Sequence, residues 1–77
     1  MTKLWAWDEL TDELISTTRE DLDAAEWELE HVEPNGVRVF YDGRHFGAEC
    51  EAETKEEAHQ KLMAWKFYEE YQTDMEE

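Results

Sequence analysis

The sequence predicts a single α+β domain spanning residues 1–77: an N-terminal helix (or two short helices), a three-stranded antiparallel meander, and a C-terminal helix packed on one sheet face. Three observations predict it. Leu10, Leu14 and Ile15, then Leu22 and Ala25, recur at helical spacing. Glu26-Trp27-Glu28-Leu29-Glu30-His31 alternates strictly, as a half-buried strand does. Thr54-Lys55-Glu56-Glu57 is a capping box that opens a second helical pattern.

The elements follow in order. Lys3-Leu-Trp-Ala-Trp is an apolar entry segment. Asp8 or Thr11 can cap a first helix, and Thr18-Arg-Glu-Asp is a second start signal, so helix is expected over 8–24 with a break near Ser16–Thr18. Strands are expected at about 26–33, 37–42 and 44–53. Pro34-Asn35-Gly36 suits a three-residue hairpin loop with a bulge, and Asp42-Gly43 a two-residue type I′ turn. These turns set Glu33 opposite Val37, His31 opposite Val39, Leu29 opposite Tyr41, and Tyr41 opposite Arg44. The expected core face is then Trp27, Leu29, His31, Val37, Val39, Tyr41, Phe46, Ala48 and Cys50. The last helix is expected over 55–71, with Ala58, Leu62 and Trp65 toward the sheet, and an acidic frayed tail over 73–77.

Charge dominates the composition. The 77 residues hold 22 Asp and Glu against 7 Lys and Arg, a net charge of −15. Ordinary solubility of a small domain needs a magnitude of only about 2–8. Like charges oppose compaction, so something beyond folding selects them. The aromatic content of 13% separates the chain from acidic disordered tails. Direct contact with DNA, RNA or anionic lipid is disfavoured, because seven scattered basic residues make no basic patch. Cys50 is the one cysteine, which excludes an internal disulfide and fits a reducing cytoplasm. No apolar run is long enough for a membrane span.

The expected register places the acids. On the face opposite the core, the first strand offers Glu26, Glu28 and Glu30, and the third offers Glu49, Glu51 and Glu53. The middle strand offers Arg38, Phe40 and Asp42 between them. Two carboxylate rows about 9.5 Å apart would flank one arginine and one exposed phenylalanine. Such a platform meets the lysines and arginines of a nucleic-acid-binding groove without the ordering cost of a floppy tail, and Phe40 supplies an apolar anchor. The plainer reading is a solvated face that keeps the sheet from pairing edge to edge. Met63, Phe67 and Tyr71 form a further stripe, either core against the N-terminal segment or a homodimer seam.

Catalytic and metal chemistry find little footing. His31, His45, His59 and Cys50 fall on different elements, without Cys-x-x-Cys or His-x-x-x-His spacing. Glu56-Glu57-Ala58-His59 holds one Glu-x-x-His, where di-iron bundles use two with further glutamates. No glycine-rich phosphate loop occurs. No enzyme activity, cofactor or metal is expected.

The order α-β-β-β-α, ending in the helix opened by Thr54-Lys55-Glu56-Glu57-Ala58, resembles the double-stranded-RNA-binding domain in topology. That family contacts phosphates through lysines near the start of its last helix; here those places read Glu56 and Glu57, and the basic residues are Lys55 and Lys61. The stretch from Gly47 to Leu62 is faintly similar to HicB-type antitoxins. In size, acidity and single-domain character the whole chain looks like small phage-encoded DNA mimics of the anti-CRISPR and anti-restriction type. That likeness implies an inhibitor acting in the host cytoplasm on a basic nucleic-acid-binding protein, such as a CRISPR effector or nuclease. The alternative expectation is a small dimeric regulator or adaptor acting through Met63, Phe67 and Tyr71.

Overall fold

A computed structural model describes residues 2–75. Among these the chain forms β1 (Lys3–Asp8), β2 (Glu13–Thr17), α1 (Arg19–Ala24), β3 (Glu28–Val32), β4 (Arg38–Tyr41), β5 (Phe46–Ala52), α2 (Lys55–Leu62) and α3 (Lys66–Met75). The five strands make one antiparallel sheet in the order β2-β1-β5-β4-β3. The sheet is therefore five-stranded and not the expected three-stranded meander: β3, β4 and β5 form that meander, and β1 and β2 extend it beyond β5.

The expected helix over 8–24 is replaced by the β1–β2 hairpin and the six-residue α1. Leu10, Leu14 and Ile15 fit a helical count, but Trp5, Trp7, Ile15 and Thr17 favour a pleated surface. Asp8 forms a turn instead of capping a helix. Its carboxylate accepts from Leu10 N–H (2.9 Å), and its carbonyl accepts from Asp12 N–H (2.8 Å). Asp12 sits in the left-handed region (φ 53°), which aspartate tolerates and which turns the chain back. β1 then pairs with β5, Trp5 opposite Cys50 and Trp7 opposite Ala48. β5 becomes the central strand rather than an edge.

The first loop of the meander matches its sequence signal. Glu33 N–H bonds the Val37 carbonyl (2.8 Å), Gly36 has φ 95°, and His31 lies opposite Val39. The second turn is shifted by one residue. The chain reverses over Gly43-Arg44, with Gly43 at φ 93° and Tyr41 opposite Phe46 instead of Arg44. The Asp42 carboxylate fixes this loop by accepting the N–H groups of Arg44 (2.9 Å) and His45 (3.0 Å). The slip moves each pairing by two residues in sum, so the facing of β4 and β5 is unchanged.

β3 differs more. A bulge between Leu29 and His31 puts Leu29 opposite Phe40 and Glu28 opposite Tyr41. One extra residue flips everything before it. Trp27 and Leu29 thus leave the expected core face, and His31 is exposed at the edge. Trp27 gains a seat on Gly47, where a Cβ would fall inside the indole ring, and packs near Phe40 and His45. The expected core face holds for Val37, Val39, Ala48 and Cys50, which are buried, and for Tyr41 and Phe46, which are partly so.

The C-terminal helix is also two elements, not one over 55–71. Thr54 Oγ1 accepts from Glu57 N–H (3.1 Å) and starts α2 as the capping box requires. A tight turn at Met63–Trp65 then separates α2 from α3. In one straight helix, Ala58, Leu62 and Trp65 would lie on a different side from Phe67 and Tyr71. The break lets both sets meet the sheet, and Trp65 enters the core against Trp7 (6.0 Å) and Phe46 (6.1 Å). Thr73 lies within α3, and Glu76 and Glu77 of the expected tail lie outside the described residues. α2 and α3 cover one sheet face; α1 lies across the other. No helix is long and apolar enough to cross a membrane among the described residues.

Candidate anionic interaction surface

The two carboxylate rows expected on one sheet face do not form. Because β5 is central, Glu49 sits in the middle of the sheet, 2% exposed. A buried carboxylate demands cationic partners. It has two: Arg38 Nε, from the neighbouring strand position, and Arg19 Nη1 from α1 at 3.0 Å. Glu49 is therefore a structural clasp that ties α1 to the sheet, unavailable to a partner. Arg38 was visible in the sequence as the one cation of that face. Arg19 was missed, although a signal existed: a basic residue in a helix's first turn opposes the macrodipole and needs another reason to be there.

Glu51 stays on the Glu49 face, opposite Leu4, and is exposed; Glu53 is exposed just beyond β5. Glu28 stands on the other side of the sheet, with Tyr41. Glu30 occupies the bulge and Glu26 precedes β3 in the left-handed region (φ 56°); both are exposed. Phe40 is half-buried beneath Trp27 (6.2 Å between ring centroids) rather than a free anchor. The Asp42 carboxyl is held below the usual carboxylate range by the backbone N–H groups of His45 and Arg44. Met63, Phe67 and Tyr71 are partly buried against the core, and Tyr71 Oη donates to the Glu9 carbonyl (3.1 Å).

What the fold leaves exposed is a run of acids close together in the chain, from α1 on one face of the sheet to the β3 edge, where Glu28 turns to the other face. Glu20, Asp21 and Asp23 on α1 are followed by Glu26, Glu28 and Glu30 at the β3 edge, all exposed. Among the described residues none of the six has a basic group within ion-pair distance. Arg19, the nearest cation in sequence, is committed to Glu49. Setting aside Glu49 and its two arginines leaves five basic side chains against twenty-one acidic ones.

The titratable groups suited to chemistry are tied up elsewhere. His31 bonds Glu33 (2.9 Å), His45 lies between Asp8 (3.1 Å) and Asp42 (3.4 Å), and His59 bonds Tyr68 Oη (2.6 Å). Burial pushes the Cys50 thiol up, away from a reactive thiolate. Among the described residues no three His, Cys, Asp or Glu converge on a metal-sized site. Comparison with protein-family models, curated proteins and solved structures gives no match.

Proposed function

We propose that the chain is a non-enzymatic inhibitor that occupies the cationic nucleic-acid-binding site of a protein partner, in the manner of small phage anti-CRISPR or anti-restriction DNA mimics acting in the cytoplasm. The observation that supports this is the unpaired acidic run of α1 and β3. Glu20 and Asp21 complement the N-terminus of α1, which folding alone would favour. Asp23, in the last turn, and Glu26, just past it, oppose the macrodipole, and no basic residue offsets them there. Their charge costs stability, so its advantage lies in what it meets. The acids are held on a folded frame, which spares the ordering cost of an acidic tail. A groove that grips DNA draws much of its affinity from Lys and Arg contacts, and it would accept carboxylates in their place. Opposite potentials would also speed encounter.

The test is capture of proteins from a bacterial lysate at low and high salt by the wild type and by Glu26→Lys/Glu28→Lys/Glu30→Lys. The wild type should retain nucleic-acid-binding proteins and lose them as salt rises from about 50 to 200 mM, with a fall in affinity on the order of tenfold or more. The reversed variant, folded to the same thermal midpoint within a few degrees, should not retain them. Equal capture by both would overturn the proposal.

A further inference from the structure

At the opposite edge of the sheet from β3, β2 has β1 on one side and, among the described residues, no strand on the other. Among the described residues no backbone hydrogen bond joins Glu13–Thr17 to anything outside the sheet ladder. Beside this free edge lies a groove of about 780 Å³, bounded by β2, the first turns of α2 and the middle of α3. Its size falls in the range of ligand sites. Its layout, a free strand edge running beside a helix, is the one that accepts an added strand and receives its alternate side chains.

The lining has a clear sign. Asp12, Glu13 and Glu56 contribute three carboxylates, against one ammonium from Lys55. Asp12 is fixed in place: its Oδ1 accepts from Trp7 Nε1 (2.9 Å) and Gln72 Nε2 (2.7 Å), while Oδ2 has no hydrogen-bond partner among the described residues. Glu13 and Glu56 are exposed and, among the described residues, have no basic partner. The remaining ionisable groups facing the groove are His59 and Tyr68, joined at 2.6 Å; burial, then the Asp12 charge, pushes the phenol up to about 12, so it adds no charge at neutral pH. Ile15, 55% exposed, supplies an apolar contact beside the edge.

We propose that this groove docks an extended, arginine- or lysine-bearing peptide segment, which joins the sheet as a strand beside β2 and places basic side chains against Asp12, Glu13 and Glu56. Main-chain hydrogen bonds to β2 give affinity for any extended chain, and the carboxylates select a basic one. A second copy of this chain is the wrong occupant, because it would bring an edge as acidic as this one and a net charge of −15 against its equal. None of the groove's lining belongs to α1 or β3, and β3 is at the other edge of the sheet, so the site does not depend on the function proposed above.

The experiment is amide-resolved NMR titration of the full chain with a blocked eight-residue peptide alternating arginine and valine. The control alternates arginine and proline, which keeps the charge, removes every second N–H donor and holds the chain near polyproline II geometry instead of a strand. The arginine–valine peptide should shift the amides of Asp12–Thr17 and Lys55–His59 and bind about tenfold more tightly than the control. Glu13→Lys/Glu56→Lys should weaken it about tenfold, and Glu28→Lys/Glu30→Lys, on the far edge, by less than about threefold. Equal affinity for the two peptides, or shifts confined to α1 and β3, would overturn the docking site while leaving the acidic run as a cationic-partner surface. Equally tight binding of an alternating threonine–valine peptide would overturn the basic selectivity.

Discussion

On one face of the sheet, Trp7, Leu62, Trp65 and Tyr68 are sealed under α2 and α3. On the other, α1 contributes no buried residue, and a crevice of about 290 Å³ remains beneath it, lined by Ala6, Ile15, Leu22 and Trp27 among others. The first face is held by area: rings meeting edge to face, with Trp7 5.0 Å from Tyr68 and 5.5 Å from Tyr71. The second is held by two point contacts, the Glu49 clasp and the Trp27–Gly47 seat. The difference teaches how so acidic a small chain folds. Apolar burial is concentrated on one side, and the other is left thin enough to carry charge.

The largest expected effect tests the sealed face. Trp7→Ala should destabilise the chain by about 3–5 kcal/mol, the range for deleting a buried aromatic, read as a shift of the urea midpoint. Trp27→Ala on the thin face, where the ring is half-buried, should cost on the order of 1–2 kcal/mol. Equal costs would erase the contrast between the faces.

Next in size is the clasp. Glu49→Gln removes the charge that balances Arg38 and Arg19, and should cost about 3 kcal/mol. Arg38 Nη2 is already buried without a hydrogen-bond partner among the described residues. Replacing the pair by Glu49→Met/Arg38→Met should therefore recover most of the loss. A double variant no more stable than the single one would mean that the clasp holds α1 by more than charge balance.

A smaller effect follows from Tyr68. Its phenol is pushed from 10 up to about 12, chiefly by burial. For an acid whose folded pKa is raised, the folded state prefers the neutral form. Its stability contribution is complete below pH 10 and disappears as pH rises toward 12. The unfolding free energy from urea titrations should fall over that window, by an amount on the order of 2 kcal/mol. The Cys50 thiol, raised by burial as well, acts in the same direction. Tyr68→Phe should flatten most of the slope; Tyr71→Phe, half-buried at the helix flank, should flatten less.

These contrasts also mark how far the sequence could be read. The face of β4 and β5 was legible because alternation of Val37, Val39, Ala48 and Cys50 survives a turn slipped by one residue on each side. The Thr54 cap and the Gly36 loop were legible because each has a local chemical cause. The β1–β2 hairpin was not: Leu10, Leu14 and Ile15 satisfy a helical count, and only pairing with distant β5 decides for strand. The candidate site was legible in its charge but not its placement. The bulge at Glu30 that turns Glu28 away from Glu51, and the burial of Glu49, both depend on partners remote in sequence, Gly47 with Trp27 and Arg19 with Glu49.

The smallest effect compares two caps of identical chemistry. Thr18 Oγ1 accepts from Asp21 N–H and Thr54 Oγ1 from Glu57 N–H, each at 3.1 Å. Intrinsic cap strength is therefore matched, and any difference reports what each helix is coupled to. α2 buries Ala58 and Leu62 in the core, so fraying its first turn loosens the global fold. Thr54→Ala should cost about 1 kcal/mol of global stability. α1 buries nothing and is anchored through Arg19, so it can open while the sheet stays intact. Thr18→Ala should leave the global midpoint within about 0.5 kcal/mol and instead speed amide exchange over residues 19–24. If Thr18→Ala shifts the global midpoint as far as Thr54→Ala, α1 is a cooperative part of the fold, and the acidic run rides on a surface as rigid as the core.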